Sequence, residues 1–238
     1  MLAFGGLCAC TTMMIGPYDF TYIPVATDKF EIATWQHITS AAEPVHIYVE
    51  GDGYAFDKHG HPTRNPTPRK HFMRNLASRD SAKNVVYMAR PCQYIKGENC
   101  DVADWTNGRF SSAIVDSMHS AIQTIAKGRP VILVGYSGGA MLTGLLIQKY
   151  PELNVEKWIT IAGVLNHADW TEHFGDSPLD KSLNMNKLPQ ISQQHYIAKG
   201  DKVVPNELSY KWANSADIVV VENARHDYFP GLKINIAK

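Results

Sequence analysis

Short apolar runs recur along this chain, separated by longer stretches with helical periodicity. The runs are Phe30 to Thr34, Val45 to Glu50, Val85 to Ala89, Val131 to Val134, Trp158 to Ala162, His195 to Ala198 and Ile218 to Val221, and their length and β-branched content predict strands. Val131 to Val134 is apolar at every position, the pattern of a strand covered on both faces of a parallel sheet. Between the runs, Arg69 to Arg79 sets Phe72, Met73, Leu76 and Ala77 on one helical face, and Ser112 to Ala126 does the same with Ile114, Met118, Ile122 and Ile125. Ala140 to Gln148 is a run of strong helix formers, closed by Tyr150-Pro151 where proline cannot continue the hydrogen-bond ladder. The alternation predicts an α/β fold with a mostly parallel central sheet flanked by helices. Its chemistry-bearing loops should gather at the carboxyl ends of the strands.

One of those loops carries a motif. The strand Val131 to Val134 breaks into Gly135-Tyr136-Ser137-Gly138-Gly139 and then enters the helix from Ala140. A sharp strand-to-helix turn holds the central side chain out of the backbone, and glycines two positions either side make the turn sterically possible. Ser137 is therefore the candidate nucleophile. A serine needs a base to take its proton and an acid to orient that base, and on this architecture they follow in the order Ser, Asp or Glu, His. Asp201 sits in Lys199-Gly200-Asp201-Lys202, just after the strand ending at Ala198, and His226 follows the final strand. Of ten histidines only His226 lies there. His195, His167 and His173 read as structural or surface residues. Glu222 and Asp227 are the rival acids, set back by their nearness in sequence to His226.

Composition narrows the class without changing this picture. The chain has 238 residues, 45% of them hydrophobic, enough for one α/β domain. Lysines plus arginines and aspartates plus glutamates number 23 each, with no basic block, which argues against a nucleic-acid partner. No repeat or membrane-length apolar run is present. The His59-Gly60-His61 cluster and the cysteines fall short of a four-ligand metal set, so neither a metal nor another cofactor is expected.

The amino end differs from the rest. Met1 to Cys10 is apolar and rich in small residues, and Leu7-Cys8-Ala9-Cys10 is similar to the end of a bacterial lipoprotein signal, with Cys10 as the acceptor of lipid. Residues 1–19 are read as a partial export signal and linker and residues 20–238 as the domain, with the protein periplasmic or anchored to the bacterial envelope. The missing basic segment leaves a frayed apolar terminus on a cytoplasmic protein as the alternative. Cys92 and Cys100 bracket one short loop and should form a disulfide in an oxidising compartment, or remain free thiols in the cytoplasm.

Gly-Tyr-Ser-Gly-Gly, Gly200-Asp201 and His226, in that order, resemble the α/β-hydrolase superfamily. Glu50-Gly51-Asp52-Gly53 and Arg90-Pro91-Cys92-Gln93-Tyr94 add a narrower likeness to poorly characterised bacterial α/β hydrolases with lipoprotein-type amino ends. The resemblance implies the α/β-hydrolase fold and a Ser137-Asp201-His226 triad, and the chain itself carries a small insertion after the sixth strand. The oxyanion hole would use the N–H of Gly138, and that of Asp52 in the loop where related enzymes carry His-Gly, or of Gly53 if the register differs by one. The insertion, between Ala162 and Pro189, holds Trp170, Phe174, Leu179, Leu183 and Met185, either as a small cap over the cleft or folded back onto the core. Trp105 and Arg109 are expected near the cleft, the alternative for Arg109 being a solvated or structural role.

The leading expectation is a serine hydrolase acting on small carboxylic esters through an acyl-enzyme. A thioesterase or acyltransferase on the same triad is the near alternative, and a non-catalytic envelope lipoprotein the distant one.

Overall fold

The computed structural model describes residues 20–236, so Cys8 and Cys10, and with them the export and lipidation expectations, lie outside the described residues. The first half of the chain forms β1 (Thr21–Tyr22), β2 (Val25–Ala26), β3 (Glu31–Ile32), β4 (Thr34–Ile38), β5 (Val45–Val49), α1 (Phe72–Ala77), β6 (Asn84–Met88) and α2 (Ser112–Ala126). The second half forms β7 (Val131–Tyr136), α3 (Gly138–Lys149), β8 (Val155–Ile161), α4 (His167–Phe174), β9 (Gln193–Ala198), α5 (Asn206–Trp212) and β10 (Ile218–Val221).

The main sheet has eight strands in the order β1-β4-β6-β5-β7-β8-β9-β10. From β6 to β10 all neighbours are parallel, while β4 runs antiparallel to both β6 and β1. Side chains alternate across it as a pleated strand requires. Val45, Ile47 and Val49 of β5 join one core with Met118 and Ile122 of α2 and Met141 and Leu142 of α3. Tyr48 joins the other with Val85 and Tyr87 of β6 and Met73, Leu76 and Ala77 of α1. Covering on both faces is why these runs read as continuously apolar.

The predicted strand Phe30 to Thr34 is corrected. Glu31 and Ile32 pair with Val25 and Ala26 in a separate antiparallel ribbon, and the sheet strand is Thr34–Ile38. Ile32 packs into the first core whereas Ala33 and Trp35 pack into the second, so the chain changes partners where the apolar run looks uniform. The predicted helix Arg69 to Arg79 is confined to α1, with Met73, Leu76 and Ala77 buried on the expected face. The insertion follows β8, the sixth strand of the main sheet in chain order, and contains α4. Among the described residues no helix is long and apolar enough to cross a membrane.

Strand order reverses at one point: β6 lies on one side of β5, and β7 with its successors lies on the other. The connections leaving the carboxyl ends of β5 and β7 therefore diverge, and a crevice opens between them.

Candidate active site

The turn after β7 is held open by its glycines. A Cβ on Gly135 would come within 2.6 Å of Ala140 Cα and of the Gly139 carbonyl, and one on Gly139 would meet the Glu50 carbonyl at 2.5 Å. Ser137 itself has φ 51° and ψ −122°, a conformation that side-chain-bearing residues avoid unless their surroundings enforce it. The enforcement is visible. The Ser137 N–H donates to the Ile161 carbonyl at 3.0 Å, while the Ser137 carbonyl accepts from Ala140 and Val164 at 3.1 and 3.0 Å.

Two further strand ends converge on that serine. Parallel pairing of β9 with β10 sets the loops that follow them side by side, and Lys199 N–H reaches the Val221 carbonyl at 3.1 Å. His226 Nε2 lies 3.0 Å from Ser137 Oγ, and His226 Nδ1 lies 3.0 Å from Asp201 Oδ2. The other Asp201 oxygen accepts the Val203 and Val204 N–H groups at 2.8 and 2.9 Å, which fixes the carboxylate and leaves one oxygen for the imidazole. Nδ1 donating to Asp201 leaves the Nε2 lone pair facing the serine hydroxyl. The Tyr136 ring packs 5.2 Å from the imidazole on the cleft side of the same turn.

The rival residues are engaged elsewhere. Glu222 pairs with Lys199 at 3.0 Å and Asp227 pairs with Lys70. His195 is buried between Thr160 and Gln193, and burial pushes its imidazole down to about 4. His173 faces Glu207 at 3.9 Å. His167 does line the cleft, with Nε2 donating to the Leu183 carbonyl at 3.0 Å.

The loop after β5 forms the opposite wall, and most of what holds it comes from the residues just after β5 and β6. Asp52 lies beside Gly138, its carboxylate bound by Arg90 and, at 3.1 Å, by Arg109. Burial alone would raise that carboxyl, but Arg109 and Arg90 outweigh it and hold Asp52 below the ordinary carboxylate range. Glu50, buried beneath the loop, accepts the Gly51 N–H at 2.9 Å and the Tyr87 hydroxyl at 2.8 Å. Burial raises its carboxyl to about 7 against the opposing pull of those hydrogen bonds and of Arg74 and Arg90. Gln93 is also buried and donates to the Gly51 carbonyl at 2.9 Å. The sequence signal for these residues was a polar cluster immediately after two apolar strands, Glu50-Gly51-Asp52-Gly53 and Arg90-Pro91-Cys92-Gln93.

Gly53, the alternative in register, has φ +67° and packs against Pro66 and Pro68. Gly51 is the glycine that approaches Ser137: a Cβ on it would be 3.1 Å from Ser137 Cβ. Cys92 and Cys100 are joined by a disulfide, with Cα atoms 5.7 Å apart, which closes the turn carrying Arg90 and Gln93.

Above these groups lies a cleft of about 1130 Å³ lined by Asp52, Ser137 and His226 together with Phe56, Phe110, Trp170 and Leu179. The insertion serves in both expected ways: Trp170 and Leu179 face the cleft, while Met185 is buried against Gly144 and Trp158. Phe174 and Leu183 are exposed and do not line it. Arg109 lines the cleft as expected. Trp105 does not, because its indole N–H is tied to the Thr63 carbonyl at 3.1 Å and its ring is buried.

No protein-family model and no curated protein sequence matches the chain. Solved structures do. An α/β serine hydrolase without lid from Xanthomonas campestris aligns at 13% identity with a TM-score of 0.53, over 89% of this chain and 88% of its own. Naproxen esterase (carboxylesterase NP) from Bacillus subtilis aligns at 11% identity, TM-score 0.54, over 90% and 87%. A bromoperoxidase from Bacillus anthracis aligns at 13%, TM-score 0.57, over 88% and 93%. Likeness over nearly the full length at such low identity is likeness of fold: the chain has the α/β-hydrolase fold.

Proposed function

We propose that the protein is a serine hydrolase of carboxylic esters that works through an acyl-enzyme on Ser137. The observation that carries this reading is the pair of 3.0 Å contacts linking Asp201 to His226 and His226 to Ser137 at the floor of the cleft. In the first half-reaction Ser137 Oγ attacks the ester carbonyl carbon while its proton passes to His226 Nε2. The carbonyl π pair moves onto oxygen, and the Gly138 and Asp52 N–H groups receive that oxyanion. The Gly138 donor opens α3, where the helix leaves its first N–H groups free and the dipole favours negative charge. Collapse re-forms the carbonyl and breaks the bond to the alcohol oxygen, which takes the proton from His226. Water then repeats the sequence and releases the acid. Asp201 keeps the imidazole in the productive tautomer and stabilises the imidazolium.

Phe56, Phe110, Trp170 and Leu179 give the cleft an apolar wall suited to an acyl or aryl group. An α/β serine hydrolase and a carboxylesterase are among the structural neighbours, which agrees with this reading. A fluorophosphonate probe tests it. Labelling of wild type that disappears in Ser137→Ala is the expected result, and a folded wild type that resists the probe and turns over no member of an ester and thioester panel rejects it. Preferential turnover of thioesters would replace the ester assignment while leaving the triad in place.

A further inference from the structure

Gly51, Asp52 and Gly53 form a short loop with no strand partner, yet the proposed reaction needs one of its N–H groups aimed to within a few tenths of an ångström. The candidate donor is the Asp52 N–H, which shares a peptide unit with the Gly51 carbonyl. In a trans peptide, C=O and N–H point in opposite directions, so whatever holds the Gly51 oxygen also sets the direction of the Asp52 N–H. That oxygen accepts a hydrogen bond from Gln93 Nε2 at 2.9 Å.

The Gln93 amide is itself oriented. Its Oε1 accepts the Arg90 N–H at 3.0 Å, so the opposite amide orientation would set donor against donor at Arg90 and acceptor against acceptor at Gly51. Gln93 is only 2% exposed, which removes water as a competing partner. Its turn is fastened on one side by the Cys92–Cys100 disulfide and on the other by Arg90, which grips the Asp52 side chain. The Gly51 N–H is taken by Glu50 at 2.9 Å. Both polar ends of Gly51 and the side chain of Asp52 are thus occupied by buried groups, leaving the Asp52 N–H as the unit this cage orients.

Resting on the reading of Ser137 as the nucleophile, we infer that Gln93 is a positioning residue for the oxyanion hole: it fixes the Gly51–Asp52 peptide so that the Asp52 N–H faces the reacting carbonyl. A donor on the Gly51 oxygen also polarises the peptide and strengthens the N–H at its other end.

The test compares wild type with Gln93→Glu, which keeps the shape and replaces the donor by an acceptor, and Gln93→Met, which keeps the volume and removes both bonds. Each variant is checked for fold by circular dichroism. For an activated ester kcat falls roughly 10- to 100-fold in both, with KM changed by less than about threefold, because an oxyanion donor acts in the transition state and not on bound substrate. The affinity of a trifluoromethyl ketone, whose adduct carries the oxyanion, falls by the same factor. In Gln93→Glu the loss relative to wild type at the same pH shrinks as the pH is lowered, since a protonated carboxyl can again donate to Gly51.

A kcat within about twofold of wild type in folded Gln93→Met overturns the inference, as does a lost kcat with unchanged ketone affinity. The ¹⁵N resonance of the Asp52 amide provides a readout that needs no turnover. It shifts in both variants if Gln93 governs that peptide, and an unmoved resonance overturns the inference even if the protein proves not to be a hydrolase. A folded wild type that neither labels with the fluorophosphonate nor turns over an ester or thioester, by contrast, rejects only the functional reading.

Discussion

Ser137 Oγ and His226 Nε2 stand 3.0 Å apart although 89 residues of chain separate them. Parallel registration of β7, β8, β9 and β10 produces the approach, because each strand ends at the same sheet edge and delivers its loop there. Ser137→Ala and His226→Ala should each lower ester hydrolysis by roughly 10⁴-fold or more, and the double variant should be little worse than either, since the groups act as a unit. Asp201→Asn should cost less or a similar amount. Steady-state kinetics with unchanged thermal melting checks this, and near-normal turnover in His226→Ala would make the base assignment wrong.

Gly139 has no room for a side chain. Gly139→Ala would drive a methyl group to 2.5 Å from the Glu50 carbonyl and 2.6 Å from that of Val49. The turn at Ser137 or β5 must then shift, and we expect a loss of roughly 2–3 kcal/mol in urea unfolding together with loss of probe labelling at Ser137. Gly97, which has nothing within 4 Å, supplies the control: Gly97→Ala should be close to neutral.

Glu50 makes stability depend on pH. Its folded carboxyl titrates at about 7, above the ordinary value of 4.5, chiefly because burial disfavours the charge. The folded state therefore holds a proton that the unfolded state has released over that interval. This contribution to stability is complete below about pH 4.5 and is lost as the pH rises towards 7. Glu50→Gln can still accept from Gly51 and donate to Tyr87 while it no longer titrates. Its melting temperature relative to wild type should rise between pH 4.5 and 7, and a constant difference would show that Glu50 does not titrate there.

The Cys92–Cys100 bond closes a loop of eight residues' separation. Restricting the unfolded chain by so short a loop contributes roughly 2–3 kcal/mol in the chain-entropy view. Replacing both cysteines by serine should lower the urea midpoint accordingly and reduce kcat as well, because the same turn carries Gln93. Thiol counting on non-reduced protein should find neither sulfur free.

We also propose that Cys10 accepts lipid when the gene, with any upstream residues, is expressed in a bacterial host. Mass spectrometry of the mature amino end should find an acylated cysteine and fractionation should place the protein with membranes. An unprocessed, unmodified terminus in the cytosolic fraction would exclude both the anchor and export.

Sequence determined what depends on short stretches of chain. Gly135, Ser137 and Gly139 specify their turn because strand, bend and helix follow one another within a few residues, and the steric demand is visible in the glycine spacing itself. The alternation of apolar runs and helical stretches likewise gave the fold class, since burial on both faces leaves a local signature. Asp201 and His226 were legible as polar residues placed just beyond strand ends. Which polar groups meet was decided by lateral strand order, which periodicity does not encode. Only because β6 and β7 flank β5 does Gln93 reach Gly51 across 42 residues and Arg90 reach Asp52 across 38. The same packing ties Asp227 to Lys70, splits the run at Phe30 between two cores, and divides the insertion between cleft and interior. A side chain's partner is fixed by what the folded sheet brings beside it, and for these residues that neighbour is distant in sequence.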